Sequence, residues 1–175
     1  MIAFHVRALA IASSVFSVGS MALAAETAPD HASPVFRVHL PEGYRNWQVI
    51  SVAHEAGNNN DIRVILGNQV AMETYRKGLR PFPDGTVIAR LAWKYVPSVR
   101  NNEIFGQAQS FVAGDPTNVQ ITIKDSKKYP ATAGWGYGQF ENGKTNPSET
   151  LINSCFGCHN RLPRTEDLIF THYAP

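Results

Sequence analysis

The 175 residues contain two cysteines, and they stand together as Cys155-Phe156-Gly157-Cys158-His159. Two thiols at this spacing, followed at once by an imidazole, are the arrangement by which a chain fixes a haem. Each thiol adds to one vinyl group, and the histidine reaches the iron from the same helical turn. A disulfide is the first rival, because exported proteins use them. A thioredoxin-like redox pair needs a βαβ setting, which a location so near the C-terminus denies. Zinc needs a fuller tetrahedral set than one cysteine pair and one local histidine. The motif implies one covalently attached haem c, with Cys155 and Cys158 as anchors and His159 as proximal iron ligand.

The sixth iron position has rival candidates. Electron-carrier cytochromes c place this motif near the N-terminus with a Met far downstream, whereas no Met follows His159 here. Met72 falls where Val70, Met72 and Tyr75 would form the buried side of a short helix, so it reads as core. His31, His39, His54 and His172 read as surface or strand-end residues. The iron is then expected to keep an open or water-filled position, which suits small-molecule binding more than pure electron transfer.

These groups need elements to hold them. Ser148 is a good N-cap and Glu149 puts an acid in the first turn of a helix over SETLINSCFGCH, where Cys155, Cys158 and His159 share one face. Asn160 and Pro163 end it. Trp47 to His54 and Ile62 to Leu66 are short β-branched runs around a Gly57–Asp61 hairpin loop. Asn68 opens a short helix, QVAMETYRK, ended by Gly78. Asp84-Gly85 is a turn before the longest strand candidate, TVIARLAWKYV. On it Val87, Ala89, Leu91, Trp93 and Tyr95 share one face, and Ile88, Arg90 and Ala92 lie on the other. Further strands are expected at Gln107 to Val112, Val119 to Ile123, Trp135 to Phe140 and, closing the sheet, Leu168 to His172. The fold class is α+β: a single domain, mainly antiparallel β-sheet with a few short helices and a C-terminal haem-attachment helix.

The N-terminus reads differently. Arg7, an apolar run from Ala8 to Val18 and the A-x-A pattern Ala22-Leu23-Ala24 make residues 1–25 an export signal, cleaved near Ala24 or Ala25. A membrane anchor is the rival, weakened by Ser13, Ser14, Ser17 and Ser20. In a bacterium such a signal leads to the periplasm. Residues 26–36 read as a flexible leader and residues 37–175 as the haem c domain. A net charge of +2, from 16 basic and 14 acidic residues, leaves no footprint for nucleic acid. No other segment reaches membrane-spanning length.

Several stretches are familiar together: LPEGYRNWQVIS (Leu40 to Ser51), FPDGTVIARL (Phe82 to Leu91), IKDSKKYPATAGWGYGQF (Ile123 to Phe140), CFGCH, and the tail DLIFTHYAP. In these residues the chain resembles the cytochrome P-460 family, which includes the β-sheet cytochromes c′. Ordinary cytochrome c′ shares a C-terminal motif but is a four-helix bundle, which the strand-like middle contradicts. The resemblance implies an antiparallel β domain, often a homodimer, with five-coordinate His-ligated haem. Some members oxidise hydroxylamine and carry an extra lysine–haem link. Others bind nitric oxide or carbon monoxide in an apolar pocket. A redox partner protein is also compatible.

Two departures matter. The linking lysine's position, counted from Asp84-Gly85-Thr86-Val87, is Arg90, whose guanidinium stays protonated and is a poor nucleophile. Lys94, about 13 Å further along the strand by extended rise, is a poor substitute. The distal carboxylate's position, four residues before KDSK, is Gln120, which cannot accept a proton in its place. Arg90 either reaches a haem propionate or iron ligand, or is an exposed strand charge. Gln120 either enters the pocket or faces solvent. Phe82, Trp93 and Trp135 either wall the haem pocket or are ordinary core.

Overall fold

The computed structural model describes residues 31–174, together with Met1. The expected signal segment lies outside the described residues, Met1 aside. Six strands form one antiparallel meander in the order β1-β2-β3-β4-β5-β6. They are β1 (Gln48–Glu55), β2 (Asp61–Gly67), β3 (Val87–Pro97), β4 (Phe111–Lys124), β5 (Trp135–Glu141) and β6 (Lys144–Thr145). Three α-helices interrupt them: α1 (Gln69–Arg76), α2 (Val99–Phe105) and α3 (Glu149–His159). The α+β class with a dominant antiparallel sheet is as expected.

Local chemistry explains the boundaries. The Asn68 side chain accepts from the Ala71 amide at 3.0 Å and starts α1, and Gly78, at φ 62°, turns the chain away after it. Ser148 caps α3 in the same way, its hydroxyl accepting from Leu151 N at 3.2 Å.

Strict alternation gives the sheet two faces. Register aligns Arg63, Ile65 and Gly67 of β2 with Ala92, Arg90 and Ile88 of β3. These continue into Asn118, Gln120 and Thr122 of β4, then Gln139 and Tyr137 of β5. This face, hereafter the Arg90 face, carries α1 over Gly67, where an added Cβ would fall 2.9 Å from Ile50 and 3.0 Å from Ala71. Burial of Val87, Ile88, Ala89, Leu91 and Ala92 places core on both sides of β3.

Three expectations are corrected. Leu168–His172 is no strand. Its backbone is engaged elsewhere, the Leu168 carbonyl with His159 and the Thr171 carbonyl with the Tyr75 hydroxyl, so it crosses the domain as a strap. The two strands expected at 107–112 and 119–123 are one, β4, whose pairing with β3 shifts register between Ala92 and Tyr95. It accommodates Gly114-Asp115-Pro116 without ending. Finally, the described part of the supposed flexible leader is packed. Ala32, Ser33 and Phe36 are buried, because the outer side of β5 needs cover. Helix α2, seven residues capped by Ser98, was not anticipated.

Candidate functional site

Helix α3 presents Cys155, Cys158 and His159 at i, i+3 and i+4. Both thiols are free, Cys155 half-buried and Cys158 exposed. Ile152, fully buried, anchors the helix to the core. Burial pushes the Cys155 thiol up. A local backbone hydrogen bond and the Arg90 guanidinium partly offset this.

The imidazole of His159 is fixed on three sides. Its Nδ1 lies 2.6 Å from the Leu168 carbonyl. A carbonyl only accepts, so Nδ1 carries the proton and Nε2 keeps a free lone pair. Tyr137 lies against one side of the ring, with centroids 5.0 Å apart, and Phe170 meets it edge-on at 5.1 Å. Burial holds the ring's pKa below the usual histidine value, with the Leu168 bond opposing. A neutral imidazole is the form that binds a metal.

Across the Arg90 face the sheet changes character along its length. Asp61, Arg63, Arg90, Asn118, Gln120 and Gln139 form a polar strip, whereas Ile50, Ile65, Ile88, Tyr137 and Trp135 are apolar and buried. Arg90 and Gln120 are direct cross-strand partners, so the structure brings these two residues together. Arg90 donates to Asn118 Oδ1, and Gln120 donates to Gln139 at 2.7 Å. Burial lowers the Arg90 pKa to about 10, with the neighbouring Arg63 adding repulsion and Asp61, Glu55 and Cys155 opposing it. Neither residue is fully exposed.

Two buried polar atoms on this face lack a protein partner: Arg90 Nε and the Tyr137 hydroxyl. Buried donors are nearly always satisfied. A flat group with acidic substituents at one edge, tethered to α3, fits these two donors. Haem is such a group.

Phe82 and Trp135 sit fully in the core. Their rings meet at 5.8 Å, and Phe82 also meets Tyr75 at 5.0 Å. Trp93 lies on the opposite face, lining a cavity of about 300 Å³ with Tyr44, Leu91, Pro116 and Phe140. Alternation along β3 already separates it from Arg90. Met72 lies in α1 and lines a different cavity, with Trp47, Gln48, Glu73 and Arg76. Lys94 is exposed. Tyr137, Leu168 and Phe170 escaped the sequence reading. For Tyr137 a signal existed, since Trp135, Tyr137 and Gln139 alternate on one face. For the carbonyl of Leu168 there was none.

Among the described residues no group of three or more His, Cys, Asp and Glu could hold a metal ion. No helix among them is long and apolar enough to cross a membrane.

Fold and site together define a c-type haem protein built on an antiparallel sheet instead of a helical bundle. The Cytochrome P460 family model matches residues 41–171, and the chain belongs to that family. Members carry covalently attached haem c, and that is the cofactor of this chain. A comparison with curated proteins gave no match.

Proposed function

We propose that the protein is an exported mono-haem cytochrome whose iron keeps one position for a small ligand such as nitric oxide or carbon monoxide. Cys155 and Cys158 carry the two thioether bonds, and His159 ligates the iron through Nε2. Haem supplies an iron centre that binds diatomic molecules and exchanges single electrons. The chain's own part is to tether it, orient the imidazole and shape the space around it.

The observation that carries the open position is the burial of Met72, 2% exposed in the α1 core. Its cavity has no wall from α3 or the C-terminal strap. His54 stacks on Tyr95 at 3.8 Å, on the face away from α3. Ligand binding is favoured over hydroxylamine oxidation because Arg90 offers no nucleophilic amine and Gln120 no carboxylate.

Export to the periplasm is supported by the sequence of residues 1–25, and a mature N-terminus just after Ala24 or Ala25 is expected by mass spectrometry. A homodimer is supported by the exposed apolar side chains of Ile104, Phe105 and Phe111 around α2. Sedimentation as a monomer would remove that part.

The deciding experiment is the absorption spectrum of the matured protein, oxidised, reduced and with carbon monoxide. A five-coordinate ferrous form that binds carbon monoxide is expected. A six-coordinate low-spin ferrous form that refuses it would overturn the assignment.

A further inference from the structure

The segment that offers Leu168 to His159 is itself held by a buried ion pair. Asp167 accepts from Lys124 Nζ at 2.8 and 3.0 Å and from the Phe82 amide at 2.8 Å. Trp135 Nε1 adds a longer bond at 3.4 Å. The side chains of Lys124 and Asp167 are only 9% and 10% exposed. Lys124 also donates to the Ala133 carbonyl at 3.0 Å, and its ammonium stands 4.7 Å from the centre of the Trp135 ring. Four separate segments of chain thus meet at one carboxylate.

That carboxylate sits at a strained turn. Asp167 and Leu168 have φ of 47° and 61°, left-handed conformations in consecutive non-glycine residues. Such conformations are costly and persist only where the surroundings over-determine them. The turn aims the Leu168 carbonyl at His159 Nδ1, while the side chains of Leu168 and Ile169 lock into the core at 1% and 3% exposure. Stability alone is a weak reason for such a pair, since apolar replacements of buried ion pairs are often neutral or better.

We propose that Asp167, paired with Lys124, is a positioning residue for His159. It holds the Leu168 carbonyl where the imidazole must donate to it, and so sets the basicity of Nε2. The proposal rests on His159 being the iron ligand. A firm hydrogen bond from Nδ1 makes Nε2 a stronger donor and favours the ferric state.

The test uses the haem-loaded full chain. Asp167→Ala combined with Lys124→Met removes both charges without leaving either one unpaired. Asp167→Asn combined with Lys124→Met is nearly isosteric at the first position, leaves no charge unpaired, and serves if that double variant does not fold. Both are expected to lower the iron–imidazole stretching frequency of the ferrous protein. At fixed poise the ferric–ferrous ratio should move toward ferrous, because a less basic imidazole stabilises ferric iron less. Ser98→Ala, which loosens α2 at its cap, should lower the melting temperature and leave both readouts unchanged. A parent protein without an iron–imidazole band would remove the reading of His159 on a five-coordinate iron, and the inference with it. A parent with the band and variants that match it would overturn the inference alone, as would an equal shift in Ser98→Ala.

Discussion

Tyr137 concentrates the chemistry of the site in one side chain. Its ring supports the His159 imidazole, and its hydroxyl is buried with no protein partner. Burial, with smaller contributions from Cys155 and Asp167, pushes its pKa far above the usual tyrosine value, so it stays a neutral donor. Removing a buried hydroxyl that lacks a partner is neutral or favourable, whereas removing one that is bonded costs about 1 kcal/mol. The haem-loaded Tyr137→Phe variant is therefore expected to lose about 1 kcal/mol in a denaturant titration. An equal or higher stability would mean that the hydroxyl lacks a partner in the loaded protein too. At this scale the sequence was informative where one local motif specifies the chemistry, as at Cys155, Cys158 and His159. It also set Ile88, Arg90 and Ala92 on one face of their strand, as the register has them. It missed Asp167 and Lys124, because their partnership spans 43 positions and leaves no periodic mark.

The elements are locked by turns that fix register, and register decides which side chains meet. Gly85 N donates to the Lys124 carbonyl and Lys124 N to the Thr86 carbonyl, each at 2.9 Å. This sets the start of β3 against the end of β4, and four residues along it makes Arg90 the partner of Gln120. Asp84 reinforces the join: its carboxylate accepts from the Ser126 hydroxyl at 2.6 Å and the Ser126 amide at 2.8 Å. These bonds, the hydroxyl's first, hold the Asp84 carboxyl below its ordinary pKa. Because the folded value is the lower one, the contribution is present above the unfolded value and lost as pH falls through the folded one. Asp84→Asn should thus lower the melting temperature at neutral pH and flatten its decline below about pH 4, where variant and parent converge. A decline as steep as the parent's would show that this turn does not contribute to the acid limb. Asp84-Gly85 was legible as a turn, and so were the helix caps Asn68 and Ser148. The single long β4 was not, because its continuity through Pro116 depends on pairing with β3 and not on its own residues.

At the scale of the whole molecule, the sheet must end somewhere, and its two edges are treated differently. β6 pairs only with Phe140 and Glu141, so the outer side of β5 from Trp135 to Gly138 would be open. Residues 32–38 close it. Ser33, wholly buried, donates its hydroxyl to the Tyr137 carbonyl at 3.0 Å and accepts from Val38 N at 3.1 Å. The Phe36 ring sits edge-on to Tyr129 at 5.9 Å and Tyr137 at 5.5 Å, while the Tyr129 hydroxyl donates to the Phe36 carbonyl. Gly136 makes room for this arrangement, since a Cβ there would fall 2.5 Å from the Tyr129 ring. The segment that composition marks as a loose leader therefore covers the strand on which Tyr137 supports His159. Burial of Phe36 and Val38 contributes about 3–6 kcal/mol together, and an uncovered strand edge invites pairing with other chains. A haem-loaded chain whose mature form begins at His39 is accordingly expected to lose stability on that order and to sediment as species larger than the parent. Unchanged unfolding and unchanged sedimentation would show that β5 protects its own edge and that residues 31–38 are dispensable to the site.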